Sequence, residues 1–146
     1  MNILQLTVTT NAIPLLVFKV MAVLCSSFLA ITFLQSSFDK IFDYKGNLAY
    51  FRVQFGKSIL KNMVGLLLPV LTVLEAATGL LCALGNVIRF FWHDALVMGV
   101  GLVVGSVTLL SLLLGQRIAK DYAGAASITG YFIVAMLGLL GFAGSI

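Results

Sequence analysis

The chain is dominated by long uninterrupted runs of apolar residues, and the length of these runs predicts its architecture. Four of them reach the roughly 20 residues that an α-helix needs to cross the hydrocarbon layer of a bilayer. They cover residues 13–34, 64–84, 95–114 and 125–143. Apolar and polar positions do not alternate along them, as they would in the strands of a membrane barrel. The pattern therefore predicts an all-α fold, a bundle of four transmembrane helices that forms a single membrane domain over residues 1–146.

Composition supports this interpretation. Of the 146 residues, 61% are hydrophobic and only 10% are charged, whereas about a quarter of the residues in a soluble domain are charged. The first run does not resemble a cleavable signal peptide, because Lys19 lies inside it and it exceeds the usual apolar core of about 7–15 residues. We therefore expect the lipid bilayer, and not a nucleic acid, to be the main surroundings of the chain.

Basic residues are concentrated in two of the three predicted loops. Loops 1 and 3, residues 35–63 and 115–124, together hold seven lysines and arginines, whereas loop 2, residues 85–94, holds only Arg89. Cytoplasmic loops of membrane proteins carry an excess of basic residues. The charge distribution therefore predicts that loops 1 and 3 are cytoplasmic and that both termini lie outside.

Loop 1 has a helical pattern of its own. After the turn signal "KGN", Leu48, Phe51, Phe55 and Ile59 recur at steps of three and four residues. This spacing predicts a short helix over residues 47–61 in the headgroup layer, with Asn47 as its N-cap. Such a helix could pack on its own bundle or bind a lipid or a partner, and the sequence leaves both open.

One carboxylate, Glu75, lies inside the second apolar run. A charged residue at the centre of a spanning helix costs about 2.5–3.5 kcal/mol on insertion scales, so it is a candidate for a function or for an internal pair. Glu75 shares a helix face with Thr72 and Gly79, which indicates that it points into the bundle. Counting residues at about 1.5 Å each places Lys19 and Ser26 of the first helix near its depth. The predicted intramembrane polar site is therefore Glu75, Lys19, Ser26 and Thr72.

Three hypotheses remain open for this site. Glu75 could fix helix packing, through an ion pair with Lys19 or, when protonated, through hydrogen bonds to Ser26, Thr72 or Ser106. It could instead bind or exchange protons with a quinone head group, or lie on a translocation path for a proton or small polar solute. The sequence alone does not decide between these three hypotheses.

Small residues on the helices predict close packing, and the remaining chemistry is sparse. The packing candidates are Gly79, Gly101, Gly105 and Gly130. Gly101 and Gly105 form a GxxxG spacing, which also suits self-association or contact with other subunits. The two cysteines are not expected to form a disulfide bond. Ligand spacings for zinc or haem and a nucleotide-binding loop are not found in the sequence, which predicts no metal and no cofactor held by the chain itself.

Two segments of the sequence are similar to a known family. The stretches "FLQSSFDKIFD" and "LPVLTVLEAATGLLCALG" resemble the DoxX family of small four-helix membrane proteins, and the resemblance covers most of the chain. One of its most specific elements is Glu75 followed ten residues later by Gly85. The other is the junction between helix 1 and loop 1, which contains Gln35, Asp39 and Lys40. The chain departs from the family pattern at Ser37, where a glycine is common, and at Ser26, where an arginine is frequent.

The resemblance implies a bacterial inner-membrane protein that serves as an accessory subunit of a quinone-linked or other redox complex. A quinone is then expected nearby, together with other membrane subunits. A small proton-coupled transporter and a purely structural subunit are the alternatives. Whether the chain is an enzyme is uncertain, although catalysis by this chain on its own is not expected.

Overall fold

A computed structural model describes residues 3–146, with side chains from residue 12 onward, and this part of the chain folds into α-helices without strands. The helices are α1 (Ile3–Phe42), α2 (Tyr44–Gln54), α3 (Val64–Trp92), α4 (Leu96–Ile118) and α5 (Tyr122–Ala143). All except α2 are long and apolar enough to cross a membrane. The predicted all-α architecture with four membrane-spanning helices is confirmed.

The four long helices pack in a ring. Helix α3 contacts α1 and α4, and α5 contacts the other sides of α1 and α4, whereas the diagonal pair α1 and α4 contact each other little. The core between them contains Leu29 and Phe33 of α1, Met98 and Leu102 of α4, and Ala135 of α5, all nearly inaccessible to solvent. Buried side chains thus fill the axis of the bundle at the level of these residues.

Two spanning helices extend well past their predicted ends. Helix α1 continues to Phe42 instead of ending at Leu34, and α3 continues to Trp92 instead of Leu84. No proline or glycine follows Leu34 to stop α1, whereas Gly85 directly follows Leu84 and α3 continues through it, because this glycine packs against the backbone of Met98 on α4. Hydropathy marks the part of a helix that lies in lipid, so it does not detect turns that continue into the interface.

The short helix of loop 1 also differs from the prediction. It begins one turn earlier, at Tyr44, and the carboxylate of Asp43 caps it by accepting a hydrogen bond from the Gly46 backbone N–H. The predicted N-cap role of Asn47 is wrong, since its amide instead donates to the backbone carbonyls of Asp39 and Asp43. The helix ends at Gln54, and turns complete the loop to residue 63.

Candidate functional site

The carboxylate of Glu75 forms a buried ion pair with Lys40. Glu75 lies on α3 and is 1% exposed, and Lys40 lies near the end of the neighbouring α1 and is 8% exposed. The Lys40 ammonium nitrogen Nζ is 2.9 Å from Glu75 Oε2 and 3.1 Å from Oε1. Two opposite charges therefore face each other between two spanning helices.

Ser36 completes this arrangement, which we call the Lys40–Glu75 cluster. Side chains on a helix lean toward its N-terminus, so the Lys40 side chain reaches back over the preceding turn, where Ser36 lies. Lys40 Nζ donates to Ser36 Oγ at 2.7 Å, and the Ser36 hydroxyl donates to Glu75 Oε1 at 3.2 Å. The spacing of four residues on α1 thus lets one serine contact both members of the ion pair.

The two carboxylate oxygens of Glu75 are not equivalent. Oε1 accepts from both Lys40 and Ser36. Oε2 is buried and close to the ammonium, but Lys40 does not lie in a direction that makes a hydrogen bond to it. Because Oε2 is the oxygen nearer to the ammonium, both oxygens of the carboxylate take part in the ion pair.

A cavity of about 560 Å³ adjoins the Lys40–Glu75 cluster. It lies inside the loop-1 half of the bundle, and residues from all five helices line it. Most of the lining is aliphatic or aromatic, including Phe33, Phe51, Phe55, Leu68, Leu71 and Leu112. An apolar chamber with a few placed polar groups is the usual form of a site for a small organic ligand.

Two glutamines line the same cavity, Gln54 from α2 and Gln116 from α4. The Gln54 amide nitrogen Nε2 donates to Asp121 Oδ2 at 2.8 Å, and the other oxygen of Asp121 caps α5 by accepting from the Gly124 N–H. The Oε1 atoms of both glutamines are buried without a hydrogen-bond partner. Both oxygens are thus enclosed by protein atoms, and that of Gln116 lies against Gly124 of α5.

Helix α2 forms the wall of the cavity on the loop-1 side. Its Phe51 and Gln54, and the adjacent Phe55, contribute to the lining, while none of the side chains within α2 is itself fully buried. Phe55 lies over Gly115 of α4, where an added Cβ would be 3.6 Å from its ring. The hydrogen bond from Gln54 to Asp121 ties this partly exposed helix to the start of α5.

The predicted pairing of Glu75 with Lys19 is wrong. Lys19 is exposed on α1, and the contacts Ser36–Glu75 and Ser26–Asn86 fix the register of α1 against α3. In that register Lys19 lies near the level of Trp92, roughly 25 Å from Glu75 along the bundle. The prediction failed because it placed the predicted loop-1 ends of the two helices, residues 34 and 64, at the same depth. Helix α1 in fact continues for eight residues beyond Leu34.

The three hydroxyls predicted to contact Glu75 also bond elsewhere. Ser26 donates to Asn86 Oδ1 at 2.6 Å, and the Asn86 amide donates to Ser27 at 3.0 Å, which forms a separate polar link between α1 and α3. Thr72 and Ser106 each donate to the backbone carbonyl four residues earlier on their own helices, at 2.8 Å. These hydrogen bonds correct the predicted Glu75 surroundings.

The sequence interpretation missed four residues that the structure brings into polar contacts or to the cavity, namely Ser36, Gln54, Asn86 and Gln116. Ser36 carried a usable signal, since it precedes Lys40 by four residues and so shares its helix face. The sequence gives no signal for Gln54 and Gln116, because they line a common cavity only once α2 has folded back over the bundle. Of the junction residues, Gln35 and Asp39 are exposed and only Lys40 reaches the site.

The predicted packing glycines fall into two groups. Gly79 lies against the backbone of Leu34 on α1, Gly101 against Cys82 on α3, and Gly105 against Thr78. Gly130 is exposed, and a Cβ added there would meet no atom within 4 Å, so its predicted role in packing within the chain is wrong. Both cysteines are free, and the described residues contain no group of side chains arranged to hold a metal ion.

Together the fold and the hydropathy of its helices define a multi-pass α-helical membrane protein with a polar cluster and a cavity inside its bundle. Comparison of the sequence and structure with known protein families, curated proteins and solved structures found no match.

Proposed function

We propose that the chain binds an amphipathic ligand of the quinone class in this cavity. In this proposal it serves as a DoxX-like accessory subunit of a quinone-linked redox complex in a bacterial inner membrane. Catalysis would then belong to a partner, and the chain would hold the quinone at a fixed depth. The observation that carries the proposal is the buried Lys40–Glu75 cluster adjoining an otherwise apolar cavity.

The chemistry of the lining suits a quinone head group. The volume of about 560 Å³ lies within the range of roughly 300–1,000 Å³ that is usual for organic ligands. Phe33, Phe51 and Phe55 offer flat apolar surfaces to a ring, while the cluster offers polar contacts to its oxygens.

The outer surface of the bundle supports access from the bilayer. Val70, Leu114 and Tyr131 line the cavity and are also 50%, 62% and 38% exposed. These residues lie on three different helices, so we infer that the cavity opens to the side of the bundle, where the tail of a lipid-soluble ligand would extend into the acyl chains. This location favours a ligand dissolved in the membrane over one that arrives from water.

Packing beyond the cluster favours binding over transport. On the loop-2 side of Glu75 the bundle axis is filled by Leu29, Thr78, Cys82, Leu102 and Thr108, each fully buried. Thr78 and Thr108 also hydrogen-bond to each other across α3 and α4 at 3.2 Å. Within the described residues, therefore, a packed layer separates the cavity from the opposite face, and a polar path across the membrane is not formed.

Purification from native membranes in a mild detergent tests the proposal. We expect quinone to be retained near one molecule per chain, as measured by solvent extraction and chromatography, and a redox protein to accompany it in fixed proportion. The variants Glu75→Gln and Lys40→Met should lose most of the bound quinone, since each disrupts the cluster.

The matched control is Lys19→Met, which removes a lysine from the same helix far from the cavity. It should retain quinone at the level of the unaltered protein. A folded, monodisperse protein without quinone, which also fails to bind added quinone, would contradict the binding function. Bound quinone without a redox partner would contradict only the role as a subunit.

A further inference from the structure

We propose that a groove between α4 and α5, at the loop-3 end of the bundle, binds one anionic phospholipid. The phosphate of the lipid contacts Arg117, and one acyl chain lies along the first turns of α5. This site goes beyond the proposed function, because the groove shares no lining residue with the cavity beside Glu75.

The groove is open on the outside of the bundle. The small side chains of Ala125 and Ala126 on α5 leave room between the two helices, and four of the six side chains that line the groove are exposed. The lining residues are Leu113, Arg117, Tyr122, Ala125, Ala126 and Thr129. Because α4 and α5 are both long and apolar enough to span a membrane, an outward groove between them contains lipid in a bilayer.

The groove runs from the membrane surface into the acyl region. Arg117 is one residue from the end of α4, where loop 3 begins, whereas Thr129 lies seven residues into α5. At about 1.5 Å per residue, Thr129 is roughly 10 Å deeper than the start of α5. Its hydroxyl already donates to the Ala125 carbonyl at 3.2 Å. The groove thus has a cation at its surface end and an apolar lining below, which is the order of polarity in a phospholipid.

The guanidinium of Arg117 is positioned at the groove without an anionic partner. Its Cζ lies 5.1 Å from the centre of the Tyr122 ring, a cation–π contact. Among the side chains that the structure describes, Arg117 forms no salt bridge. The nearby carboxylate of Asp121 accepts instead from the Gln54 amide and the Gly124 N–H. The N–H groups of Arg117 are therefore available to phosphate oxygens, which arginine binds in a bidentate manner.

Charge favours an anionic lipid over a zwitterionic one. Lys120 follows Arg117 by three residues, is also exposed and forms no salt bridge with a described residue. Basic pockets between spanning helices bind anionic headgroups, and each basic residue near the membrane surface increases the affinity about fivefold. Phosphatidylcholine also has a phosphate, but its own ammonium group competes with Arg117 for that charge. The groove therefore selects a lipid with a net negative headgroup.

Native mass spectrometry of the purified full-length protein tests the proposal. The probes are phosphatidylglycerol and phosphatidylcholine with identical acyl chains, added in equal amounts to the detergent-solubilised protein. We expect one phosphatidylglycerol per chain to stay bound, with a preference over phosphatidylcholine of about fivefold or more. Excess soluble glycerol phosphate should not displace it, because that molecule has no acyl chain. Equal retention of the two lipids, or displacement by glycerol phosphate, would overturn the proposal.

Two variants locate the lipid in the groove. Arg117→Gln should lower the preference for phosphatidylglycerol about fivefold, and Ala126→Leu should reduce retention of both lipids by filling the groove. Ala126 is exposed, so the larger side chain does not disturb the core.

The matched controls are Arg52→Gln, which removes an exposed arginine from α2, and Ala123→Leu, which enlarges an exposed alanine of α5 outside the groove. Both should retain phosphatidylglycerol as the unaltered protein does. An equal loss of preference in Arg52→Gln and Arg117→Gln would show a general attraction of charge and contradict the site. Full retention of lipid by folded Ala126→Leu would contradict the groove as its location.

Discussion

At the scale of single residues, Lys40 and Glu75 stabilise the bundle only as a pair. Burial removes hydration from both charges, and each is compensated mainly by the other and by Ser36. Breaking such a pair leaves an uncompensated charge and costs about 3–5 kcal/mol, whereas replacing both charges with apolar residues is often neutral or stabilising. The pair therefore adds little net stability to the bundle compared with an apolar pair of similar size.

We accordingly expect Lys40→Met to lower the free energy of unfolding by about 3–5 kcal/mol. The double variant Lys40→Met/Glu75→Leu should recover most of that loss, because no buried charge remains. Reversible unfolding of the purified proteins in mixed micelles measures both effects.

The control for this prediction is again Lys19→Met, which should change the unfolding free energy by no more than about 0.5 kcal/mol, because the side chain is exposed. If Lys19→Met destabilised the protein as strongly as Lys40→Met, the register of α1 against α3 would be in error. If the double variant were as unstable as the single one, stability would come from direct packing of the Lys40 stem.

At the scale of helices, glycines set how closely the spanning segments approach. A Cβ on Gly85 would collide with the backbone of Met98, so α3 and α4 can only meet there through a glycine. We expect Gly85→Ala to destabilise the bundle by about 1–3 kcal/mol through overpacking. The unfolding assay in mixed micelles measures the change.

Gly130→Ala is the matched control, because its Cβ would point into open space. Alanine is a better helix former than glycine by about 1 kcal/mol, so this variant should be neutral or slightly stabilising. Marked destabilisation by Gly130→Ala would show that α5 contacts a second chain at this glycine.

Helix α2 differs from the spanning helices in how it is held. None of its side chains is fully buried, and Gln54 ties it to Asp121 at the start of α5. Segments with little buried surface open at low free energy. We expect amides in residues 44–54 to exchange hydrogen faster than those of α3, and Gln54→Met to accelerate exchange there without affecting α3, as measured by mass spectrometry. Equal protection of α2 and α3 would contradict this view of the cavity wall.

The helices and the site differ in how far the sequence determined them. The four spanning helices were predictable because lipid requires each of them to be a long apolar run. The partner of Glu75 was not, since it depends on the register between two helices, and that register depends on where α1 ends. The segment containing Lys40 reads as a loop by hydropathy, yet it continues α1 and brings the lysine back toward Glu75. Gln54 and Gln116 depend on one further step, the folding of α2 over the bundle.

At the scale of the whole molecule, the site lies in one half of the bundle, so its orientation decides which compartment it faces. The cavity is on the side of loops 1 and 3, which hold seven basic residues against the single Arg89 near the opposite end. Translocation of basic loops is disfavoured. From this asymmetry we predict that the Lys40–Glu75 cluster lies nearer the cytoplasmic face.

Reporter proteins fused after Ile146 of the full chain test this orientation. We expect alkaline phosphatase, which is active only outside the cytoplasm, to be active in the fusion, and green fluorescent protein, which matures in the cytoplasm, to remain dark. Replacing Arg117 and Lys120 with glutamine should reduce the phosphatase signal, because it removes two of the seven charges that hold these loops inside. The reverse pattern, a fluorescent fusion with inactive phosphatase, would place the termini inside and turn the cavity toward the outer face.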